Sequence, residues 1–240
     1  MNKVRSEAEA FAKESVELQK FALAHNIDIG VAPTFLSLCK VRKTNPELTV
    51  AAQNCHFEDH GAFTGEISVP MLKDLGIEWC LVGHSERRTY FAETNETCNK
   101  KLKVLAANKM VPIYCVGETL EQFEAKETKA VIKAQVLEGL EGISAEDARH
   151  FVIAYEPVWS IGTGKNASTE IAEDICGFIR SLLKDLYGEE VSEEIRILYG
   201  GSVKPENVRA YLGEKDVDGA LVGGASLKVE SFRALIENII

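Results

Sequence analysis

Phe151-Val152-Ile153-Ala154-Tyr155 is a run of five uncharged residues, apolar at odd and even positions alike. It leads into Glu156-Pro157, then a glycine-rich stretch, then the charged amphipathic segment Ser168 to Tyr187. A strand with one wet face alternates apolar and polar residues, whereas a strand apolar on both faces belongs to a parallel sheet covered by helices. The same pattern recurs on either side. Ile27 to Ala32, Thr49 to Gln53, Trp79 to Val82, Val111 to Val116, Arg196 to Tyr199 and Ala220 to Val222 also read as strands. Glu7 to Ala24, Glu96 to Asn108, Leu120 to Leu140, Pro205 to Leu212 and Lys228 to Glu237 read as helices, with apolar residues at mixed three and four spacing. Repeated βα units imply right-handed crossovers and an α/β fold. Short strands with this much helix predict a (β/α)8 barrel, with a doubly wound sheet as the rival. No linker-like stretch interrupts residues 1–240, so one domain is expected. The chain opens on a helix and shows seven strands, which predicts a barrel lacking its first strand.

Composition narrows the partners. Asp and Glu number 37 against 27 Lys and Arg, a formal charge of −10. Without a basic patch the chain is not expected to bind nucleic acid or an anionic membrane. A phosphorylated ligand would need a local device. The longest uncharged run, Ile29 to Cys39, has eleven residues and contains Pro33, too short for a spanning helix. The first residues, Met1-Asn2-Lys3-Val4-Arg5-Ser6-Glu7, lack the apolar core of a secretory signal. The six cysteines are scattered, with no Cys-x-x-Cys pair. Reduced thiols in the cytoplasm are therefore expected, with no metal site.

Four segments place polar residues just after a strand, the face on which barrels assemble their active sites. In Val82-Gly83-His84-Ser85-Glu86-Arg87-Arg88, His84 can exchange a proton or simply satisfy a loop. In Tyr155-Glu156-Pro157-Val158-Trp159-Ser160-Ile161-Gly162-Thr163-Gly164-Lys165, Glu156 closes a buried strand. A partly desolvated carboxylate at a barrel mouth makes a usable base, unless it is only the partner of an arginine. Pro157 to Ala167 reads as a lid. Gly162-Thr163-Gly164-Lys165-Asn166-Ala167 also matches a nucleotide fingerprint, but it lies too far beyond the strand. Tyr199-Gly200-Gly201-Ser202-Val203 and Val222-Gly223-Gly224-Ala225-Ser226 offer backbone N–H groups to an anion. Together with the Gly162 loop they predict a phosphate cradle.

These segments share order and spacing with others: Pro33-Thr34-Phe35, Ala51-Ala52-Gln53-Asn54, Gly61-Ala62-Phe63-Thr64-Gly65-Glu66-Ile67-Ser68 and Cys115-Val116-Gly117-Glu118. Taken together, the set resembles the triosephosphate isomerase family over essentially the whole chain. The resemblance implies a TIM barrel that interconverts dihydroxyacetone phosphate and D-glyceraldehyde 3-phosphate through an enediol or enediolate, without cofactor. By the same resemblance Glu156 is the base, His84 a neutral electrophile and Glu86 a supporting residue, roles carried over from the family. Gly162, Ser202, Gly223 and Gly224 would hold the phosphate, and Gly61 to Ser68 would insert into a second subunit of a homodimer. A loop packed on its own subunit is the alternative. Family chains open with a strand ending in Gly-Asn-Trp-Lys-Met-Asn. This chain begins at the Met-Asn, so Asn2 and Lys3 are not the substrate-binding pair. Little isomerase activity and poor folding of the 240 residues, unless the termini rearrange, are expected from that. A catalytically silent phosphate-binding barrel, an inactive fragment or another sugar-phosphate isomerase shares the glycine loops. The last of these does not predict the histidine and glutamate segments together.

Overall fold

Seven strands form one parallel sheet in chain order: β1 (Gly30–Val31), β2 (Thr49–Ala52), β3 (Trp79–Val82), β4 (Val111–Val116), β5 (Val152–Tyr155), β6 (Arg196–Tyr199) and β7 (Gly219–Ala220). The structure is a computed structural model and describes residues 1–161 and 166–240. Described helices are α1 (Arg5–Ala24), α2 (Phe35–Thr44), α3 (Val69–Asp74), α4 (Ser85–Tyr90), α5 (Asn95–Ala107), α6 (Leu120–Glu124), α7 (Thr128–Gly139), α8 (Ala145–Ala148), α9 (Thr169–Tyr187), α10 (Glu189–Glu194), α11 (Val208–Leu212) and α12 (Val229–Glu237). Local chemistry sets several ends. Thr94 caps α5, its hydroxyl accepting from the Thr97 N–H at 3.2 Å, and Ser168 caps α9 through the Ile171 N–H at 3.3 Å. α9 stops at Gly188, whose φ of +86° suits a residue without a side chain.

Alternation along the strands makes the barrel. Thr49, Ala51 and Gln53, Trp79 and Leu81, Val111 and Ile113, and Arg196, Leu198 and Gly200 all line one common cavity. The residues between them, such as Val50, Ala52, Cys80 and Val82, are buried on the opposite side. One face of the sheet therefore curls around an interior while the other meets the helices. α9 shows the matching stripe, burying Ala172, Ile175, Cys176, Ile179, Leu182 and Leu183.

Burial falls off toward the sheet's two margins. Every residue of β5 is buried, whereas neither residue of β1 or β7 is. Pairing runs from Gly30↔Thr49 at one margin to Tyr199↔Ala220 at the other, and no pairing joins β7 to β1 among the described residues. The seven strands inferred from sequence are all present. Four of them have other bounds: β2 ends one residue earlier and β5 begins one residue later than read, and β1 and β7 differ further. β1 occupies two residues of Ile27 to Ala32, and β7 is Gly219–Ala220 instead of Ala220 to Val222. A margin strand with one neighbour keeps only the residues that neighbour can pair. The single helix expected over Leu120 to Leu140 is broken into α6 and α7, with Lys126 at φ +62° between them.

Candidate active site

The segment after β3 turns sharply at Gly83, φ +75°, and delivers His84 to the first position before α4. A Cβ at Gly83 would lie 3.0 Å from the Cys115 carbonyl oxygen, so a side chain is excluded by space as well as by conformation. Glu93 holds this turn from beneath. Its buried carboxylate accepts the Gly83 N–H at 2.8 Å, Arg87 Nε at 2.6 Å and Lys101 Nζ at 3.0 Å. Burial raises the Glu93 pKa, but Lys101, Arg87 and the Gly83 amide outweigh it and hold the group below the ordinary carboxylate value.

Glu156 continues the line of β5, its N–H bonded to the Val116 carbonyl at 2.7 Å. Two glycines make room for it. A Cβ at Gly117 would strike the Glu156 backbone carbonyl, and one at Gly200 would lie 2.9 Å from Glu156 Cγ. The buried carboxylate then reaches across the barrel mouth. Its Oε2 accepts the Ser85 N–H at 2.9 Å, and its Oε1 stands 3.0 Å from His84 Nε2. His84 Nδ1 accepts the Glu86 N–H at 3.2 Å, which assigns the proton of the neutral ring to Nε2, facing Glu156. Burial alone would lower the His84 pKa. The hydrogen bond and charge of Glu156, with Glu86 and Glu93 adding to them, raise it above its usual value.

His84, Glu86, Glu156, Ser202, Gly223 and Gly224 all line the barrel cavity, and direct contacts join His84 to Glu156 and to Glu86. Their engagement differs. Glu86 is 72% exposed at its side chain, and its carboxylate is 3.9 Å from His84 Nδ1, so its backbone N–H makes the closer contact. Ser202 lies in the turn after β6, where its carbonyl accepts from Asn207. Gly223 and Gly224 meet nothing within 4 Å at the Cβ position, so no protein atom requires them to be glycine and their open side is available to a ligand. Gly162 falls outside the described residues.

A family model described as triosephosphate isomerase matches residues 1–239. Curated relatives bearing that name include one from Carboxydothermus hydrogenoformans, 49% identical over 242 residues, covering 100% of this chain and 96% of the relative. Another, from Lactococcus lactis subsp. lactis, is 50% identical over 239 residues, covering 99% and 94%, and one from Streptococcus mutans is 49% identical over 241 residues with the same coverage. The chain belongs to the triosephosphate isomerase family.

Sequence reading passed over three residues of this family member's site. Ser85, Glu93 and Glu118 had no assigned role. Glu118 accepts Trp159 Nε1 at 2.8 Å and the Tyr155 hydroxyl at 3.2 Å, which ties the start of the 157–161 segment to β4. Burial pushes the Glu118 carboxyl up, against the opposing pull of Trp159 and Tyr155. Its place in Cys115-Val116-Gly117-Glu118, directly after a buried strand, was the available signal. Ser85 acts through its backbone and Glu93 follows no strand, so neither had a signal of that kind. Among the described residues no three His, Cys, Asp or Glu side chains gather as a metal site, and no helix is long and apolar enough to cross a membrane.

Proposed function

We propose that this chain interconverts dihydroxyacetone phosphate and D-glyceraldehyde 3-phosphate, with Glu156 as the base and His84 as the acid that polarises the carbonyl. The observation that carries this reading is the 3.0 Å contact between Glu156 Oε1 and His84 Nε2 at the C-terminal mouth of a parallel barrel. A carboxylate and an imidazole N–H are the two groups an enediol route needs. One takes the carbon-bound proton, and the other gives hydrogen-bond support to the oxygen that gains charge. Neither step requires a metal or organic cofactor.

In the structure the two groups satisfy each other, so substrate must replace that contact. Glu156 leaves His84 and the Ser85 amide for the substrate carbon, and the Nε2–H turns to the carbonyl oxygen. Losing the neighbouring carboxylate also removes the main influence that raises the His84 pKa. His84 stands at the N-terminal end of α4, where the helix field disfavours an imidazolium, so the ring then works as a neutral donor. Ser202, Gly223 and Gly224, with Gly162, form the phosphate cradle, answering the need for a local device in a chain of charge −10.

A coupled assay in both directions tests the reading. Glu156→Gln is expected to lower kcat by about 10²- to 10⁴-fold while a phosphate-bearing enediolate mimic still binds. Binding of the mimic with no turnover by the unchanged chain would identify a silent phosphate-binding barrel instead.

The homodimer belongs to the same proposal. Residues 58–66 are all exposed, and Phe63 among them meets the His56 ring of the same loop at a tilt of 32°, with centroids 4.3 Å apart. Leu36, Met71, Tyr90 and Phe91 are also exposed. Such surface favours a loop inserted into a second subunit over one folded back on its own. Sedimentation at micromolar concentration is expected to give a dimer, and shortening the 61–66 loop is expected to give a monomer. The cytoplasm is the proposed location, in keeping with six cysteines that are all free, five of them buried.

A further inference from the structure

β4 runs past its neighbour. β3 ends at Val82, opposite Tyr114, so beyond Tyr114 no strand lies on the β3 side of β4. The even residues there still face β5, Val116 and Glu118 giving their carbonyls to the N–H groups of Glu156 and Val158 at 2.7 and 3.1 Å. The odd residues, Cys115 and Gly117, face the vacated side instead. Side chains take up their backbone groups. Arg88 Nη2 donates to the Cys115 carbonyl at 3.4 Å. The Gln135 amide takes both groups of Gly117, Oε1 accepting its N–H at 2.7 Å and Nε2 donating to its carbonyl at 3.0 Å.

Gln135 is itself held. It lies buried on α7, and its carbonyl accepts the Tyr114 hydroxyl at 2.7 Å, in room left by Gly139, where a Cβ would strike that hydroxyl. Arg88 joins the same frame, its Nη2 3.3 Å from the Tyr114 hydroxyl and its Nε donating to the Gly83 carbonyl at 2.9 Å, one residue before His84. A primary amide offers a donor and an acceptor in one plane, as the backbone of a strand neighbour does. Gly117 in turn leaves no clearance to Glu156, since even a Cβ there would overlap the Glu156 carbonyl. Moving the Gly117 peptide therefore moves the backbone that carries the base.

We propose that Gln135 is a positioning residue for Glu156: its amide replaces the β3 neighbour that Gly117 lacks, fixes the peptide on which Glu156 rests, and so holds the carboxylate in line with His84 and the substrate carbon. The proposal rests on the assignment of Glu156 as the base. Gln135 acts through one peptide. Without the amide, the Gly117 N–H and C=O lose both partners in the interior, and the turn after β4 shifts to recover them. Glu156 follows, because its main chain packs against that turn. A misplacement of about 1 Å at a reacting group is enough to cost about 10²-fold in rate. A merely structural glutamine would lower stability on removal and leave the Glu156 and His84 pair as it is.

The test compares the full 240-residue chain with Gln135→Met, which fills similar space without the amide, and with Val136→Ala, a change on the same helix at a residue of the apolar core. Gln135→Met is expected to lower kcat by about 10- to 10²-fold while KM stays within about threefold. It is also expected to lower the NMR titration midpoint of His84, because the carboxylate no longer stands beside the ring. Val136→Ala is expected to lose thermal stability and show neither effect. Gln135→Asn keeps the amide but is one methylene short, so it should behave as Gln135→Met does, and it carries the test if that variant does not fold. An unchanged His84 midpoint, an unchanged kcat, a fall in kcat matched by Val136→Ala, or an effect confined to KM would each overturn the proposal. So would failure of both Gln135 variants to fold, which would make Gln135 a residue of the fold alone. A lowered midpoint in Gln135→Met, with no turnover by the unchanged chain, would support the placement and overturn the isomerase reading instead.

Discussion

His84 and Glu156 are paired in the structure, and each alters what the other does. The raised His84 pKa should appear as an NMR titration midpoint above the usual value of about 6.5. In Glu156→Gln the midpoint should move down, because burial and the α4 terminus then act without the carboxylate. An unchanged midpoint would mean that the contact is absent in solution. The linkage sign follows. A group whose folded pKa is raised contributes stability that is fully present below about pH 6.5 and is lost as pH rises through the folded value. Glu93 has the opposite sign. Its lowered pKa contributes stability above about pH 4.3 that is lost as pH falls through the folded value. Glu93→Ala would strip Lys101 of one of its two hydrogen-bond partners among the described residues and leave a buried ammonium on Asn54. About 3–5 kcal/mol of destabilisation is expected, read from denaturant midpoints.

At this scale the sequence carried the residues of the pair but not their contact. His84 and Glu156 were legible because each follows a buried strand, where a polar residue has little structural reason to be. Their direct hydrogen bond depends on how far the sheet curls, and no local pattern encodes curl. Glu93 was illegible for a related reason. It is a buried carboxylate whose partners Lys101 and Gly83 lie eight and ten residues away and become neighbours only through α5 and the turn after β3.

Among the elements, the turns after β4 and β6 matter most to the site. Gly117 and Gly200 do not depend on unusual backbone angles. They are small because Glu156 lies against them. Gly200→Ala would place a methyl 2.9 Å from Glu156 Cγ. The side chain can give way, so a cost of about 1–3 kcal/mol is expected, together with a larger fall in kcat than in thermal stability as the base is displaced. Gly117→Ala meets backbone and is expected to cost more. Equal stability and activity in both variants would remove the case for Glu156 being wedged between two turns. Strand centres were read correctly from the sequence, since two-sided burial imposes a pattern on every residue. Margins were read less well, because β1 and β7 keep only what one neighbour pairs. The break between α6 and α7 was invisible because Lys126 carries no turn signature.

At the scale of the whole molecule, seven parallel strands curl about one interior, and among the described residues no pairing joins β7 to β1. The helical opening and the count of seven strands made this legible before any coordinates. The size of the opening was not, since it depends on α1 and α12 meeting over the gap while β7 and β1 stay apart beneath them. With a phosphate cradle of backbone amides proposed for an acidic chain, proton transfer is expected to be present but slow. A slow enediol step is best seen as exchange of the carbon-bound proton with solvent. Dihydroxyacetone phosphate incubated in D₂O with the 240-residue chain should gain deuterium at C1 above the protein-free rate, as read by proton NMR. The excess should fall by about 10²-fold or more in Glu156→Gln. No exchange above the protein-free rate, or exchange that survives the substitution, would contradict the assignment of Glu156 as the base.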